Sequence, residues 1–266
     1  MTPLIGMTEA GDAGWDLSWY DKLLSGKYAG AILITKSADR EPFQQKVMEL
    51  YHQGFPFIIH AGVTGWGGTA MEPNVQPPEI VLRAIKSLLD NGFPAKRVVL
   101  RVDPIYPTKE GIARAVNTIR SAKNIVPEIK RIRISIYDDY HKAREEIINR
   151  GLGPIDDCTK WKNEEERRPS VQQINSVALA LALACPDQAF ECCAEPEISQ
   201  AFPKRFKWFG CLSEKDCELM GIQVPDNIGI NNQQRFGCRC LRMKTELLNN
   251  KRRCPNNCAY CYWGKP

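Results

Sequence analysis

Three cysteines stand at the spacing C-x3-C-x2-C in the stretch KRRCPNNCAYCYWGKP: Cys254, Cys258 and Cys261. Sulfurs so close along a chain can point inward from one small loop and hold three corners of a cubane iron–sulfur cluster, leaving the fourth iron without a protein ligand. A structural zinc site usually draws on four ligands, most often as two C-x2-C pairs. A zinc knuckle or a chance spacing is the competing reading. Arg252 and Arg253 immediately precede Cys254, and such an electropositive setting favours thiolate, the form a metal binds.

Eleven cysteines occur in the 266 residues, none before Cys158. The count is odd, and the N-terminal MTPLIGMTEAGD has no basic segment followed by an apolar one. Metal ligation is therefore expected rather than a disulfide framework. Cys193, Cys211, Cys238 and Cys240 come from three separate loops and can complete a four-thiolate site, for an auxiliary [4Fe–4S] cluster or for zinc. The plainer alternative makes Cys193 a small buried strand residue and Cys238-Arg-Cys240 an ordinary loop. Cys158, Cys185, Cys192 and Cys217 are assigned to packing or surface.

Something must bring these loops together, and the first two thirds of the chain supply it. β-branched apolar runs at 3–7, 30–35, 55–62, 97–103, 131–138 and 188–195 alternate with stretches whose apolar residues recur every three or four positions. Such alternation predicts a parallel sheet with helical crossovers. The expected fold is α/β, a (β/α)6 partial TIM-type barrel over 1–198. A Cys-rich C-terminal tail, 199–266, carries the Fe-S motif and packs on the barrel mouth as one domain. Chemistry collects at the carboxyl ends of such strands. Those ends are polar here, with Glu9, Asp12, Lys36, His60, Thr64, Arg101, Asp103, Ser135, Tyr137 and Glu195.

Several of these residues have a bland reading. Arg101 and Asp103 alternate on one strand face and make either a substrate clamp or a buried ion pair. His60 reads first as a satisfied core histidine. GVTGWGG at 62–68 can offer backbone N–H groups to an anion or form a tight turn after a strand. NEEERR at 163–168 reads as a solvated face.

Tyr260 precedes the third cysteine and completes C-x3-C-x-aromatic-C, and in this the chain resembles the radical S-adenosylmethionine (SAM) superfamily. In that superfamily the motif follows the first barrel strand; here it follows the last elements, so the order looks permuted. The string AGAILITKS…EPNVQPP…RVVLRVDPI…ISIYDDYHKAR…CAE…GCL…NNQQRFGCRC…CPNNCAYCYW resembles, nearly end to end, a bacterial domain family of unknown function whose members finish in the same motif. The chain is also similar to the permuted radical SAM isomerases of phage DNA hypermodification, which act on N-alpha-glycinylthymidine.

The resemblance implies that Cys254, Cys258 and Cys261 bind three irons while the amine and carboxylate of SAM chelate the fourth. One electron then cleaves the sulfonium to methionine and a 5′-deoxyadenosyl radical, which takes hydrogen from the substrate. Lys36, His60, Thr64, Ser135 and Tyr260 are expected around the cofactor, and Arg101, Asp103, Tyr137 and Glu195 around the reacting group. The implied reaction shifts a glycyl substituent of thymine from N-linked to C-linked. The implied partners are DNA or a modified nucleoside and an external electron donor of the flavodoxin or ferredoxin type. Repair or another lyase-like modification of nucleic acid is the rival enzyme, and a zinc-stapled nucleic-acid binding module the rival without catalysis.

Charge agrees with an anionic partner without requiring one: 36 Lys and Arg against 31 Asp and Glu give a net +5. Basic and aromatic residues interleave in FPKRFKWFG at 202–210, near KRR at 251–253. Such a mixture can meet phosphates and stack on bases, or simply pack the tail onto the barrel. No apolar run of about 18 residues is present. A cytoplasmic protein of a bacterium or phage-infected cell is expected.

Overall fold

The β-branched runs pair as parallel strands, and the segments between them coil. A computed structural model describes residues 3–151, 153, 158–160, 166–226, 228–231, 237–248 and 254–261. In chain order the elements begin β1 (Ile5–Met7), α1 (Trp19–Leu24), β2 (Gly30–Thr35), α2 (Glu41–His52), β3 (Phe57–Gly62) and α3 (Pro78–Asp90). Next come β4 (Val98–Ile105), α4 (Lys109–Ile125), β5 (Ile132–Ile136), β6 (Asp139–Tyr140), α5 (His141–Asn149), β7 (Cys158–Lys160), β8 (Glu166–Pro169) and α6 (Val171–Ala184). The chain continues through β9 (Phe190–Cys192), α7 (Pro196–Ala201), β10 (Phe206–Trp208), α8 (Glu214–Met220), β11 (Ile230–Asn231), β12 (Cys240–Leu241) and β13 (Lys244–Glu246).

Eight strands make one sheet in the order β10-β9-β5-β4-β3-β2-β1-β13, and all its ladders are parallel. Six strands are expected from the sequence; β10 and β13, both from the 199–266 segment, bring the number to eight. Each is three residues long, too short to show an alternation. Among the described residues no ladder joins β10 to β13, so the sheet is open there.

Both faces of this sheet are covered, which is why its strands read as nearly continuous apolar runs. One face carries Leu33, Ile59, Leu100 and Ile134 against Trp19, Phe43, Leu82, Ile119 and Leu181 of the helices. The other face, here the inner one, carries Ile5, Met7, Ile32, Ile58 and Val99 against Leu212, Cys217, Met220, Leu241 and Met243 of the tail.

The tail therefore packs on a face of the sheet. Helix α8 starts at a capping box between Ser213 and Asp216 and stops at Gly221, whose φ of 72° is the left-handed turn that suits glycine. It packs along the inner face toward the amino ends of the strands, where a Cβ on Gly30 would stand 2.6 Å from Ile222 and 3.0 Å from Met220. Asp216 is fully buried and pairs with Arg131 at 2.8 Å, beside Arg133, which donates from Nε to Glu191 at 2.9 Å. A buried four-residue ion network thus fixes α8 to β5 and β9.

His60 lies on the same inner face, level with Ile34 and Val99. It is fully buried, and among the described residues neither ring nitrogen has a hydrogen-bond partner. Burial, and then Arg133, Arg101 and Arg131, hold its pKa well below the ordinary histidine value. Unfolded, the ring gains a proton below about pH 6.5; folded, it does not. Stability should therefore fall as pH drops below that point, by up to about 1.4 kcal/mol per pH unit. Replacing His60 by leucine should raise the unfolding midpoint more at pH 5 than at pH 8. An equal shift at both pH values would mean that His60 carries its proton alike in both states.

Among the described residues no helix is long and apolar enough to cross a membrane.

Candidate metal and cofactor site

The carboxyl ends of β1 to β5 and β9 converge with the terminal loop on one cavity of about 250 Å³. All seven cysteines singled out as ligands line it: Cys193, Cys211, Cys238, Cys240, Cys254, Cys258 and Cys261. Lys36, Arg101, Asp103, Tyr137 and Tyr260 line it too. Four expected site residues lie outside its lining. His60 sits on the inner sheet face, and Ser135 is fully buried on β5. Thr64 donates to Glu72 at 2.6 Å. Glu195 accepts from the Ile136 N–H at 2.9 Å and from Arg168 at 2.7 Å, which makes it a latch between β5 and β8.

The loop carrying Cys254, Cys258 and Cys261 is held by its non-cysteine residues. Asn256, which is buried, donates to Asp12 at 2.7 Å and accepts from Trp15 at 2.9 Å and Ser37 at 3.0 Å. Asn74 donates to the Pro255 carbonyl at 2.7 Å, Arg150 to that of Asn257 at 3.0 Å, and the Ala259 N–H to Met71 at 2.9 Å. Asn257 turns the loop through a φ of 50°, a conformation asparagine tolerates better than most residues. Ala259 and Tyr260 pack with Trp66, Met71, Tyr106 and Tyr137 and with Ala143 and Ile147 of α5.

Asp12 is the hub beneath this loop. It also accepts from the Thr35 hydroxyl at 2.6 Å and from the Lys36 and Gly14 N–H groups at 2.7 and 2.8 Å. Burial raises its pKa, and these hydrogen bonds oppose the rise. Substituting Asn256 by alanine removes one partner from Asp12, one from Ser37 and one from Trp15. The expected cost is about 1–3 kcal/mol for buried groups left unpaired, measured as a lower denaturant midpoint. An unchanged midpoint would show that the loop is held elsewhere.

Tyr260 of the loop joins a second polar set, with half-buried Lys36 and buried Glu72. Lys36 pairs with Glu72 at 3.0 Å, its ammonium stands 5.3 Å from the centre of the Tyr260 ring, and the Tyr260 hydroxyl donates to Glu72. Burial alone would lower the pKa of Lys36, but Glu72 and the Cys258 thiol raise it, so it is a cation beside the cysteines. Burial first, and then Asp12, push Cys254 up to about 12; burial and Glu72 raise Cys258 well above the ordinary value. Arg252 and Arg253 lie outside the described residues. Metal binding at these sulfurs must displace protons.

The three terminal thiols interact electrostatically with one another, all three line the cavity, and no fourth cysteine belongs to their loop. This donor set fits a cluster with one iron open to a further ligand.

On the opposite wall the Cys193 and Cys211 sulfurs are 3.4 Å apart, and the Cys211 N–H donates to the Cys240 sulfur at 3.1 Å. Glu9 joins them, with a carboxylate oxygen and the sulfurs of Cys211 and Cys240 all within 4.8 Å of one another. Cys192 and Cys217 are buried in the cores of the two sheet faces, and Cys185 packs beside Leu181 on α6, as packing residues should. Arg101 and Asp103 form an ion pair that lines the cavity. Tyr137 also lines it, and among the described residues its hydroxyl, buried, has no hydrogen-bond partner.

Three of the four aromatics of FPKRFKWFG are engaged in packing. Phe206 stacks on Phe190 at 5.1 Å and meets Phe202 edge-on at 6.0 Å, while Trp208 donates to the Gly237 carbonyl and lies under Arg239. The KRR run at 251–253 lies outside the described residues, as does 163–165 of the NEEERR run. The GVTGWGG segment opens the long connection from β3 to α3, with Gly67 bridged to Glu72 and Trp66 buried beneath the Arg114 guanidinium, 4.4 Å away. Glu72 and Asn256 carry the docking of the terminal loop, yet neither has a motif that marks it. Glu9 and Asp12 were visible as polar residues just past a strand.

The family described as Domain of unknown function (DUF1848) matches residues 22–263. No curated protein matches the chain.

Proposed function

The chain belongs to the DUF1848 family, whose description assigns no activity, and we propose that it is a radical SAM enzyme that isomerises an amino-acid-bearing thymine in DNA from an N-linked to a C-linked glycyl form. The observation that carries this reading is the convergence of the terminal cysteine loop, the second cysteine group and the polar strand ends on one cavity. The loop follows β13, which lies beside β1 at the edge of the sheet. A motif that comes last in the chain thus follows a strand that neighbours the first, which supports reading its order as permuted. We read the sheet as a partial barrel open between β10 and β13.

Bound at Cys254, Cys258 and Cys261, a [4Fe–4S] cluster with SAM would supply one-electron cleavage of the sulfonium and a carbon radical able to remove hydrogen. The chain's own residues confine that chemistry. Cys258 and Tyr260 are buried, so the loop presents its sulfurs to the cavity and keeps water from their outer side. Lys36 contributes positive charge beside Cys258. Arg101 and Asp103 offer a cation and an anion to the amino and carboxylate groups of a glycyl substituent. Tyr137 lines the same space, and among the described residues its buried hydroxyl has no hydrogen-bond partner.

At about 250 Å³ the cavity lies below the usual range for ligand pockets, which begins at about 300 Å³. DNA would insert only the modified base, taken out of its stack. Removal of hydrogen at the glycyl CH2, migration of the thymine methylene from nitrogen to that carbon, and return of hydrogen leave the formula unchanged. An external flavodoxin- or ferredoxin-type donor would supply the initiating electron.

The test is to incubate anaerobically reconstituted protein, SAM and a reductant with DNA bearing glycinylthymidine, then digest and examine the nucleosides by mass spectrometry. A nucleoside of unchanged mass and altered fragmentation is expected. If SAM is cleaved while DNA and free nucleoside remain untouched, the isomerase reading fails and the radical SAM reading stands. Zinc without iron, sulfide or SAM cleavage would leave the zinc-stapled module.

A further inference from the structure

Glu9 follows the carboxyl end of β1, on the cavity wall that also carries Cys211 and Cys240. The three donor atoms lie within 4.8 Å of one another, and the Cys193 sulfur stands 3.4 Å from that of Cys211. A tetrahedral ion with bonds of about 2.3 Å to sulfur sets neighbouring donors about 3.8 Å apart. Thiolates of a cubane are each bound to a different iron and so stand wider. The compact spacing matches one ion.

Charge agrees with that count. Lys244 donates to Glu9 at 2.8 Å, and Arg101 also acts on Cys211 and Cys193. Two thiolates and a carboxylate around a divalent cation leave one negative charge, which Lys244 balances, since Arg101 is already paired with Asp103. Each thiol that binds gives its proton to solvent.

We propose that Glu9, Cys211 and Cys240 hold a single thiophilic divalent cation such as zinc, with the Glu9 carboxylate as one ligand and the fourth tetrahedral position open to water, in place of a four-cysteine cubane. The site shares its cavity with the terminal cysteines but does not depend on the radical reading, because it uses none of their sulfurs.

The test uses the full chain with Cys254, Cys258 and Cys261 replaced by alanine, so that any terminal cluster is absent and its failure cannot be mistaken for failure here. Metal analysis should find about one divalent ion per chain and no acid-labile sulfide. Titration of the metal-free protein with Co2+ should give the intense absorption of thiolate ligation in a tetrahedral field. In that background Glu9→Gln should weaken Zn2+ binding by about 100-fold or more, beyond what loss of an outer partner costs. Lys244→Gln, which breaks the ion pair but keeps every donor, should weaken it by about 10-fold. Circular dichroism must show both variants folded. Four irons with sulfide, absence of any bound metal, or equal losses from Glu9→Gln and Lys244→Gln would each overturn the proposal. In the last case Glu9 acts only as the partner of Lys244.

Discussion

Replacing Cys254, Cys258 and Cys261 together by alanine should abolish SAM cleavage and remove the iron bound at the terminal loop, while the far-ultraviolet circular dichroism and unfolding midpoint stay close to wild type. The two halves of this expectation have separate causes. Loss of activity follows from the donors: these three sulfurs share one loop and one cavity, and the proposed chemistry has no other anchor for its cluster. Survival of the fold follows from the docking. The loop is held through Asn256 to Asp12, Asn74 to Pro255, Arg150 to Asn257 and Ala259 to Met71, and none of these bonds uses a thiol. Only Cys258 is buried among apolar neighbours, so the stability lost should be about 1 kcal/mol. Should the alanine variant aggregate, the triple serine variant gives the same readout with a smaller change in polarity. Undiminished SAM cleavage by a folded variant would end the assignment of the cluster to this loop.

The parts of the fold that could be read from the chain are those whose side chains repeat. Gly30–Thr35 and Phe57–Gly62 are buried on both faces, so their apolar character is continuous and unambiguous. Strands β10 and β13 contribute three residues each, and KTE has no apolar residue at all. Its place in the sheet is decided by pairing with β1, information that no local pattern holds. Helix α8 was hidden for a different reason. Its segment reads as part of an irregular cysteine-rich tail, although Ser213 and Asp216 form a capping box, a pattern that signals a helix start.

Among the candidate ligands, the seven cysteines were legible because the residue type itself carries the chemistry. Glu9 differs only in geometry: a glutamate just past a strand is ordinary until the fold brings Cys211 and Cys240 beside it. His60, Ser135, Thr64 and Glu195 show the converse. Position at a strand end selected them, but burial and hydrogen bonding take Thr64 and Glu195 into structural contacts and leave His60 and Ser135 behind the cavity wall.

Substituting Asp216 by alanine should destabilise the protein by about 3–5 kcal/mol, the usual cost of removing one partner from a buried ion pair. That is a large share of the roughly 5–15 kcal/mol by which a domain is stable. Arg133 is fully buried and Arg131 nearly so, and both meet Asp216 and Glu191. Without Asp216 one carboxylate must serve two guanidinium groups. The same substitution removes the acceptor for the Ser213 N–H and hydroxyl, at 2.9 and 2.7 Å, and so leaves α8 with half of its capping box. Asp216→Asn keeps an oxygen for that cap and should cost less. The double variant Arg133→Met, Asp216→Leu, which removes one buried charge of each sign, should recover part of the loss. Denaturant midpoints at constant m-value measure all three. The effect should also reach the cavity, because Arg133 donates to the Cys211 carbonyl at 3.1 Å. Loosening that contact lets the Cys211 loop move, so metal bound at Cys211 should be held less tightly in Asp216→Ala even under conditions where the variant is still folded. A loss below about 1 kcal/mol, within the range of an exposed pair, would mean that α8 is held by its apolar contacts with Ile58 and Val99 alone.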